Sequence, residues 1–310
     1  MKKSTTLKDI AEKAGVSVAT VSYVLNYSEK QKISNDTRLK IFEIAKELNY
    51  VPNLQAKYLA SAKTNKQNQL AGIIFKKTTL NCLASQYVFS LFLNKLQLNM
   101  QRLGVEIIPV MVDDFYEEID KIKTKLLDFM IVVNFEEESI ERFTEQFLIP
   151  IVFLGSPIDS FLFKTISIDY QKTFQSFKLD ANMHNPVILL QENTSRYVKQ
   201  IAEQNFDKEV ILINSNIDDV LAILKQRSPT AILSLNEVQS LQIERELRPA
   251  KNILFSVIRN EVSLLSNDTK KILIDDDDIS AAIHLCLESF ITWDDHKIKS
   301  NQLIIQPHLI

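Results

Sequence analysis

Val18, Ala19, Ser22 and Tyr23 are spaced so that all four project from one side of a helix. Two small apolar groups and two hydroxyls make a poor acid–base or nucleophilic set. They suit the reading of flat polar edges, where methyl groups take apolar contact and hydroxyls donate or accept. Conventional catalytic equipment is sparse elsewhere. His184, His284, His296 and His308 are scattered, without an H-E-x-x-H pair. Cys82 and Cys286 form no CxxC pair and cannot supply a four-ligand zinc site, and Cys286 sits among Ala282, Ile283, Leu285 and Leu287 like a buried small hydrophobe. Asp275 to Asp278 is a run of four carboxylates; a cation needs ligands converging from several directions, so the run reads as a solvated turn before a helix. The chain has 4 glycines in 310 residues, against an average usage near 7%. That scarcity removes the dinucleotide fingerprint, the phosphate loop and the G-x-S-x-G elbow. The sequence therefore predicts no catalytic residue, no metal ligand and no cofactor.

The elements that must position the four side chains are short. Thr6 with Asp9 three residues on is a capping-box start, and Leu7, Ile10, Ala11 and Ala14 form one apolar stripe of a first helix that ends at Gly15. Ser17 caps a second helix from about Val18 to Leu25, with Val21, Val24 and Leu25 inward. A third helix follows Ser34 and runs to Leu48, with Ile41, Ile44, Ala45 and Leu48 closing a small core. Charge separates this region from the rest. Residues 1–66 hold twelve Lys or Arg against six Asp or Glu, a net of +6, whereas the remaining 244 residues hold 24 against 33, a net of −9. A small polyanion-binding head on an acidic body fits that asymmetry, although the whole chain, at −3, is not a general nucleic-acid coat.

The segments TLKDIAEKAGVSVATVSYVLN (Thr6–Asn26), ISNDTR (Ile33–Arg38), ELNYVPN (Glu47–Asn53) and AKYL (Ala56–Leu59) closely resemble the DNA-binding head of the LacI/GalR family of bacterial transcription regulators. The resemblance implies a second helix in the major groove and a hinge helix, about residues 53–61, that enters the minor groove when two subunits pair. Val18, Ala19, Ser22 and Tyr23 then face bases, Thr6, Leu7 and Thr20 hold phosphates, and Ser17 and Asn26 belong to the same DNA-binding set. Asn53 caps the hinge helix, Lys57 lies along the minor groove, Leu59 is the intercalating wedge, and Ala56 belongs to the same DNA-binding set. Tyr23 departs from the Arg often found there and cannot read guanine bidentately.

From Leu70 onward, short apolar runs (70–75, 105–112, 129–135, 150–154, 187–190, 210–213, 231–235 and 253–257) alternate with amphipathic stretches (83–103, 116–127, 139–148, 195–203, 217–225 and 238–247). That pattern predicts two parallel sheets, each covered on both faces. The fold class expected is thus α plus α/β, a three-helix helix-turn-helix head with a hinge helix and then a two-lobed periplasmic-binding-protein-like α/β body. The head is placed at 1–62, a linker at 63–69 and the body at 70–310. Its first lobe is expected at about 70–158 and 271–297, its second at about 159–270 and 298–310.

By the same resemblance Arg196 and Asn236 are the effector-binding residues, although Lys199, Gly155 and the segment FSVIRN (Phe255–Asn260) depart from the family's ligand pattern. The expected partners are a double-stranded DNA operator, a second copy of the chain and a sugar or sugar-phosphate effector. The function implied is a repressor of a sugar or carbon-metabolism operon, not an enzyme. The alternative keeps the DNA-binding role with a body that docks a phosphocarrier protein or has no small-molecule effector. No apolar run reaches about 18 residues, so no membrane partner is expected, and the location implied is the cytoplasm, at the nucleoid through operator binding.

Overall fold

The computed structural model describes residues 5–25, 33–48, 69–135, 140, 143, 146–147, 149–158, 163–180, 184–214, 216–247, 253–261, 263–292 and 301–310. The chain divides into two compact units, one of Met1–Gln67 with Ser139–Leu148, the other of Asn68–Glu138 with Ile149–Ile310. Asn26, Asn53, Ala56, Lys57, Leu59 and the hinge helix expected at 53–61 lie outside the described residues.

The head contains α1 (Leu7–Ala14), α2 (Val18–Leu25) and α3 (Asn35–Glu47). Its first start signal is a complete capping box. Thr6 Oγ1 accepts from the Asp9 amide at 3.4 Å and Asp9 Oδ2 accepts from the Thr6 amide at 2.7 Å, so two amides that a helix start leaves without partners are satisfied. Gly15 then adopts φ 68°, the left-handed conformation that lets the chain leave α1 and reach α2 within three residues. Ile10, Ala11 and Ala14 of α1, Val21 and Val24 of α2, and Ile41, Ile44 and Ala45 of α3 close one core, with Leu7, Val16, Ile33 and Leu48 at its edge.

The body holds, in chain order, β1 (Gln69–Lys76), α4 (Leu83–Gln101), β2 (Val105–Val112), α5 (Ile119–Lys123), β3 (Phe129–Val133), β4 (Ile151–Gly155), β5 (Lys164–Ile168), α6 (Tyr170–Asp180), β6 (Pro186–Leu190), α7 (Arg196–Asn205), β7 (Ile211–Ile213), α8 (Ile217–Arg227), β8 (Ala231–Ser234), α9 (Glu237–Glu246), β9 (Leu254–Ile258), β10 (Lys270–Leu273), α10 (Asp276–Thr292), β11 (Gln302–Ile305) and β12 (His308–Leu309). They form two six-stranded sheets ordered β11-β5-β4-β3-β1-β2 and β12-β10-β9-β8-β6-β7. Every pairing is parallel except β10 with β12. The central strands β3, β4, β6, β8 and β9 are mostly apolar and buried along their length, as strands covered on both faces are. Pro109 lies in β2 at the edge of its sheet, where a missing N–H costs no central ladder bond.

The lobe boundaries read from sequence need correction. β5 belongs to the first sheet, not the second lobe, because Val152 to Gly155 of β4 pair with Lys164 to Ser167. β10 belongs to the second sheet, where Lys270 to Leu273 pair with Phe255 to Ile258. β11 returns to the first sheet alongside β5, leaving β12 alone of the C-terminal strands in the second. The chain therefore crosses between sheets three times, after β5, β10 and β11. The amphipathic stretch at 116–127 yields only the five-residue α5, because the chain turns after Thr124 and Leu126 takes a positive φ of 50°.

Candidate nucleic-acid interface and interlobe cleft

On α2 the burial pattern divides the side chains as their spacing requires. Val21 and Val24 are fully buried, whereas Val18, Ala19 and Tyr23 are exposed and Ser22 and Thr20 are half-buried. Ser17 caps the helix; its Oγ accepts from the Thr20 amide at 3.0 Å and lies 2.8 Å from Thr20 Oγ1. Small exposed side chains at Val18 and Ala19 let the helix backbone come close to a surface, and α2 is short enough to lie in a groove about 12 Å wide. Thr6 is exposed and Leu7 half-buried at the start of α1. The described part of the expected interface is therefore displayed by one compact helical unit whose core is separate from its exposed face.

The body carries a cavity of about 230 Å3 between the C-terminal ends of the two sheets, where open parallel sheets place their ligands. From the first lobe it is lined by Thr79, Ser85, Phe89 and Asn134, and from the second by Gln191, Asn193, Asn236, Gln239 and Arg259, among others. Asn134 has φ 51° and turns its carboxamide over Gly155, where an added Cβ would lie 2.1 Å from Asn134 Oδ1. Gly155, itself at φ 107°, thus supplies no polar group but makes room for one.

The two expected effector residues part company. Asn236 lines the cavity, is buried, and caps α9 by accepting from the Val238 and Gln239 amides at 3.0 and 3.2 Å. Arg196 is exposed at the first residue of α7 and is not among the lining residues. The guanidinium that does line the cavity is Arg259, at the C-terminal end of β9, and it meets Asp276 at the start of α10. Its Nε donates to Asp276 Oδ1 at 2.8 Å, and its Nη2 donates to the same oxygen. Asp276 is fully buried, so the carboxylate run is not wholly a solvated turn, while Asp275 and Asp277 pair with Lys95 of α4 at 3.5 and 2.7 Å. Burial pushes the Asp276 carboxyl above its usual value, and the Arg259 charge pulls the other way.

That arrangement has a pH consequence. Arg259→Met leaves Asp276 buried without its cation, and removing one partner of a buried pair costs about 3–5 kcal/mol at pH 7. An acid with a raised folded pKa contributes stability below its unfolded value and loses it as pH rises through the folded one. The variant's deficit is therefore expected to shrink on acidification toward pH 5, read by denaturant unfolding; a deficit that does not change with pH contradicts the assignment.

Sequence reasoning missed Asn134, Gln191, Asn193 and Arg259. Each stands within three residues of the C-terminal end of an apolar strand, and that position was the available signal.

Residues 6–53 match the family described as bacterial regulatory proteins, lacI family. The head is a lacI-family head. Among curated relatives, the sucrose operon repressor of Klebsiella pneumoniae is 30% identical over 168 residues, covering 52% of this chain and 47% of that protein. The transcriptional repressor PurR of Vibrio campbellii is 25% identical over 268 residues, covering 78% and 77%. The chain spans about half the length of the first relatives it matches, 47% and 49%. The lac repressor dimer bound to operator and an anti-inducer is similar over 99% of this chain and 98% of that one, with a TM-score of 0.58 at 17% identity. That likeness is one of fold, and it includes the two-lobed α/β body that follows the head in the sequence. Further curated relatives, among them RegA of Clostridium saccharobutylicum and GanR of Bacillus subtilis, are likewise named as transcriptional regulators. Among the described residues no helix is long and apolar enough to cross a membrane, and no three His, Cys, Asp or Glu cluster as metal ligands.

Proposed function

We propose that this protein is a sequence-specific DNA-binding transcription regulator, a repressor of a sugar or carbon-metabolism operon. The observation that carries the reading is the exposed row Val18, Ala19 and Tyr23 on the second helix of a lacI-family head. Thr6, Leu7, Ser17 and Thr20 position the head on phosphates, and Val18, Ala19, Ser22, Tyr23 and Asn26 read base edges. Asn53, Ala56, Lys57 and Leu59 belong to a hinge helix that forms in the minor groove. A helix of nine residues is too short to stand alone in water, so two hinges must meet on DNA. Exposed Leu83, Tyr87 and Leu98 on α4 favour a homodimer through the first lobe. The body then responds to a small sugar or sugar phosphate in the interlobe cavity, with Asn236 and Arg259 as its polar contacts.

A dimer reading two half-sites predicts its own test. In a selection from random duplexes the full chain should enrich sites with two-fold symmetry, and deleting one half-site should cut affinity by at least about a hundredfold. Equal affinity for a single half-site would contradict the paired reading.

Arg196 is exposed and does not itself line the cavity, although Ser195 and Val198 beside it do, and that favours a second reading of the body. There the head acts as above while the body docks a phosphocarrier protein or answers to no small molecule. Thermal melting with neutral sugars and sugar phosphates separates the two, because a ligand at a hundred times its Kd adds about 2.7 kcal/mol.

A further inference from the structure

Proteins hold a phosphate or carboxylate with cations and with the amide groups that begin helices. The cavity between the sheets displays both kinds of group, and each already has a partner within the chain. Among the described residues of the lining, Arg259 is the one cation and Glu237 the one carboxylate. Arg259 directs two N–H donors at Asp276 Oδ1, and Asp276 is fully buried. The helix starts are occupied in the same way. α7 and α9 both begin at the cavity, through Ser195 and Asn236. Ser195 Oγ accepts from the Val198 amide at 3.4 Å, and Asn236 Oδ1 accepts from the Val238 and Gln239 amides. Glu237, the first residue of α9, puts a buried carboxylate where the positive end of that helix would draw an anion. Its Oε1 accepts from Ser263 Oγ at 2.6 Å and from the Leu264 amide at 2.7 Å, which fix it in place. Arg259 and Asp276 cancel, so Glu237 leaves this wall with a net negative charge. The remaining polar lining is uncharged, with carboxamides at Asn134, Gln191, Asn193 and Gln239 that both donate and accept.

We infer that the cavity takes an uncharged, hydroxyl-bearing ligand and rejects the phosphorylated form of the same molecule, with Asp276 and Glu237 as the residues that set this choice. The inference deepens the effector role proposed above for the cavity and rests on it. The Arg259 side chain is 21% exposed, so a ligand hydroxyl accepts from its outer N–H groups while another donates to Glu237, and no charge is left unpaired. A phosphate instead brings like charge to Glu237. It must also draw Arg259 away from Asp276, which strands a buried carboxylate without its cation. A phosphoryl-transfer reaction on the ligand would thus remove it from this site, and the protein would answer to the free form alone.

The test titrates inorganic phosphate into the full chain and its variants by calorimetry at one salt concentration. The basic head takes up phosphate by itself, so a background is set by the double variant Arg259→Met with Asp276→Asn, which removes both charges of the pair and strands neither. The parent is expected to bind no phosphate beyond that background. Glu237→Gln keeps the oxygen that Ser263 and the Leu264 amide bond, and Asp276→Asn keeps the one that Arg259 bonds. Each is expected to bind phosphate at least about tenfold more tightly than the background, the worth of one charge-assisted hydrogen bond. Circular dichroism checks the fold of both, and Glu237→Gln decides the matter if Asp276→Asn does not fold. Phosphate binding by the parent that the double variant abolishes would overturn the inference. So would folded variants whose phosphate affinity stays within about twofold of the background. A parallel titration with neutral monosaccharides bears on the effector role itself: silence there contradicts a sugar effector, whereas the phosphate series decides the charge selection.

Discussion

Replacing Ala19 by Glu is expected to lower affinity for the enriched DNA site by about a hundredfold or more, with the melting of both units unchanged. Ala19 is exposed on α2, so the larger side chain meets nothing in the head's core. On DNA it would place a carboxylate in the major groove close to the phosphates, losing apolar contact and adding like-charge repulsion. A loss of that size equals about 3 kcal/mol, the upper end of what one good base contact supplies. Binding isotherms at fixed salt check the affinity, and circular dichroism checks the fold. Retention of parental affinity would place the interface on another face of the head.

Ile10→Ala is expected to abolish DNA binding by the opposite route. Ile10 is fully buried and joins α1 to Val21 of α2 and Ile41 of α3 within one small core. Trimming a buried Ile to Ala costs about 2–5 kcal/mol, whereas a core of this size supplies only about 3–5 kcal/mol in all. The head should therefore be largely unfolded at 37 °C while the body, with its own two sheets, melts as before. Differential scanning calorimetry would show the low-temperature transition lost and the body's retained. A single transition that moves as a whole would contradict independent folding of the head.

How much of this was legible in the sequence follows from what local patterns can encode. The three helices of the head were readable to within a residue, because their start and stop signals at Thr6, Gly15, Ser17 and Ser34 are local. The apolar strands of the body were readable as well, since Val, Ile, Leu and Phe run together wherever a sheet is covered on both faces. β5 was not. Lys164, Thr165 and Ser167 interrupt its apolar character, yet all three are buried, with Lys164 donating to Asn301 at 3.1 Å. That partner is 137 residues away, beyond the reach of any local pattern. The same long reach hid the crossovers, because strand order is set by pairing between distant segments. In the cleft, resemblance pointed to Arg196, but the position after β9 decides which guanidinium lines the cavity. Arg259 stands there, and the buried partner that holds it comes from a carboxylate run that looked solvated.

In the proposed function the exposed face of α2 reads sequence. Its most direct test compares the affinity of the full chain for the enriched symmetric duplex with that for a scrambled duplex of the same length and composition, at one salt concentration. A ratio of about a thousand or more is expected, as in specific protein–DNA complexes. Equal affinities would leave only the charge of the head at work and would contradict it.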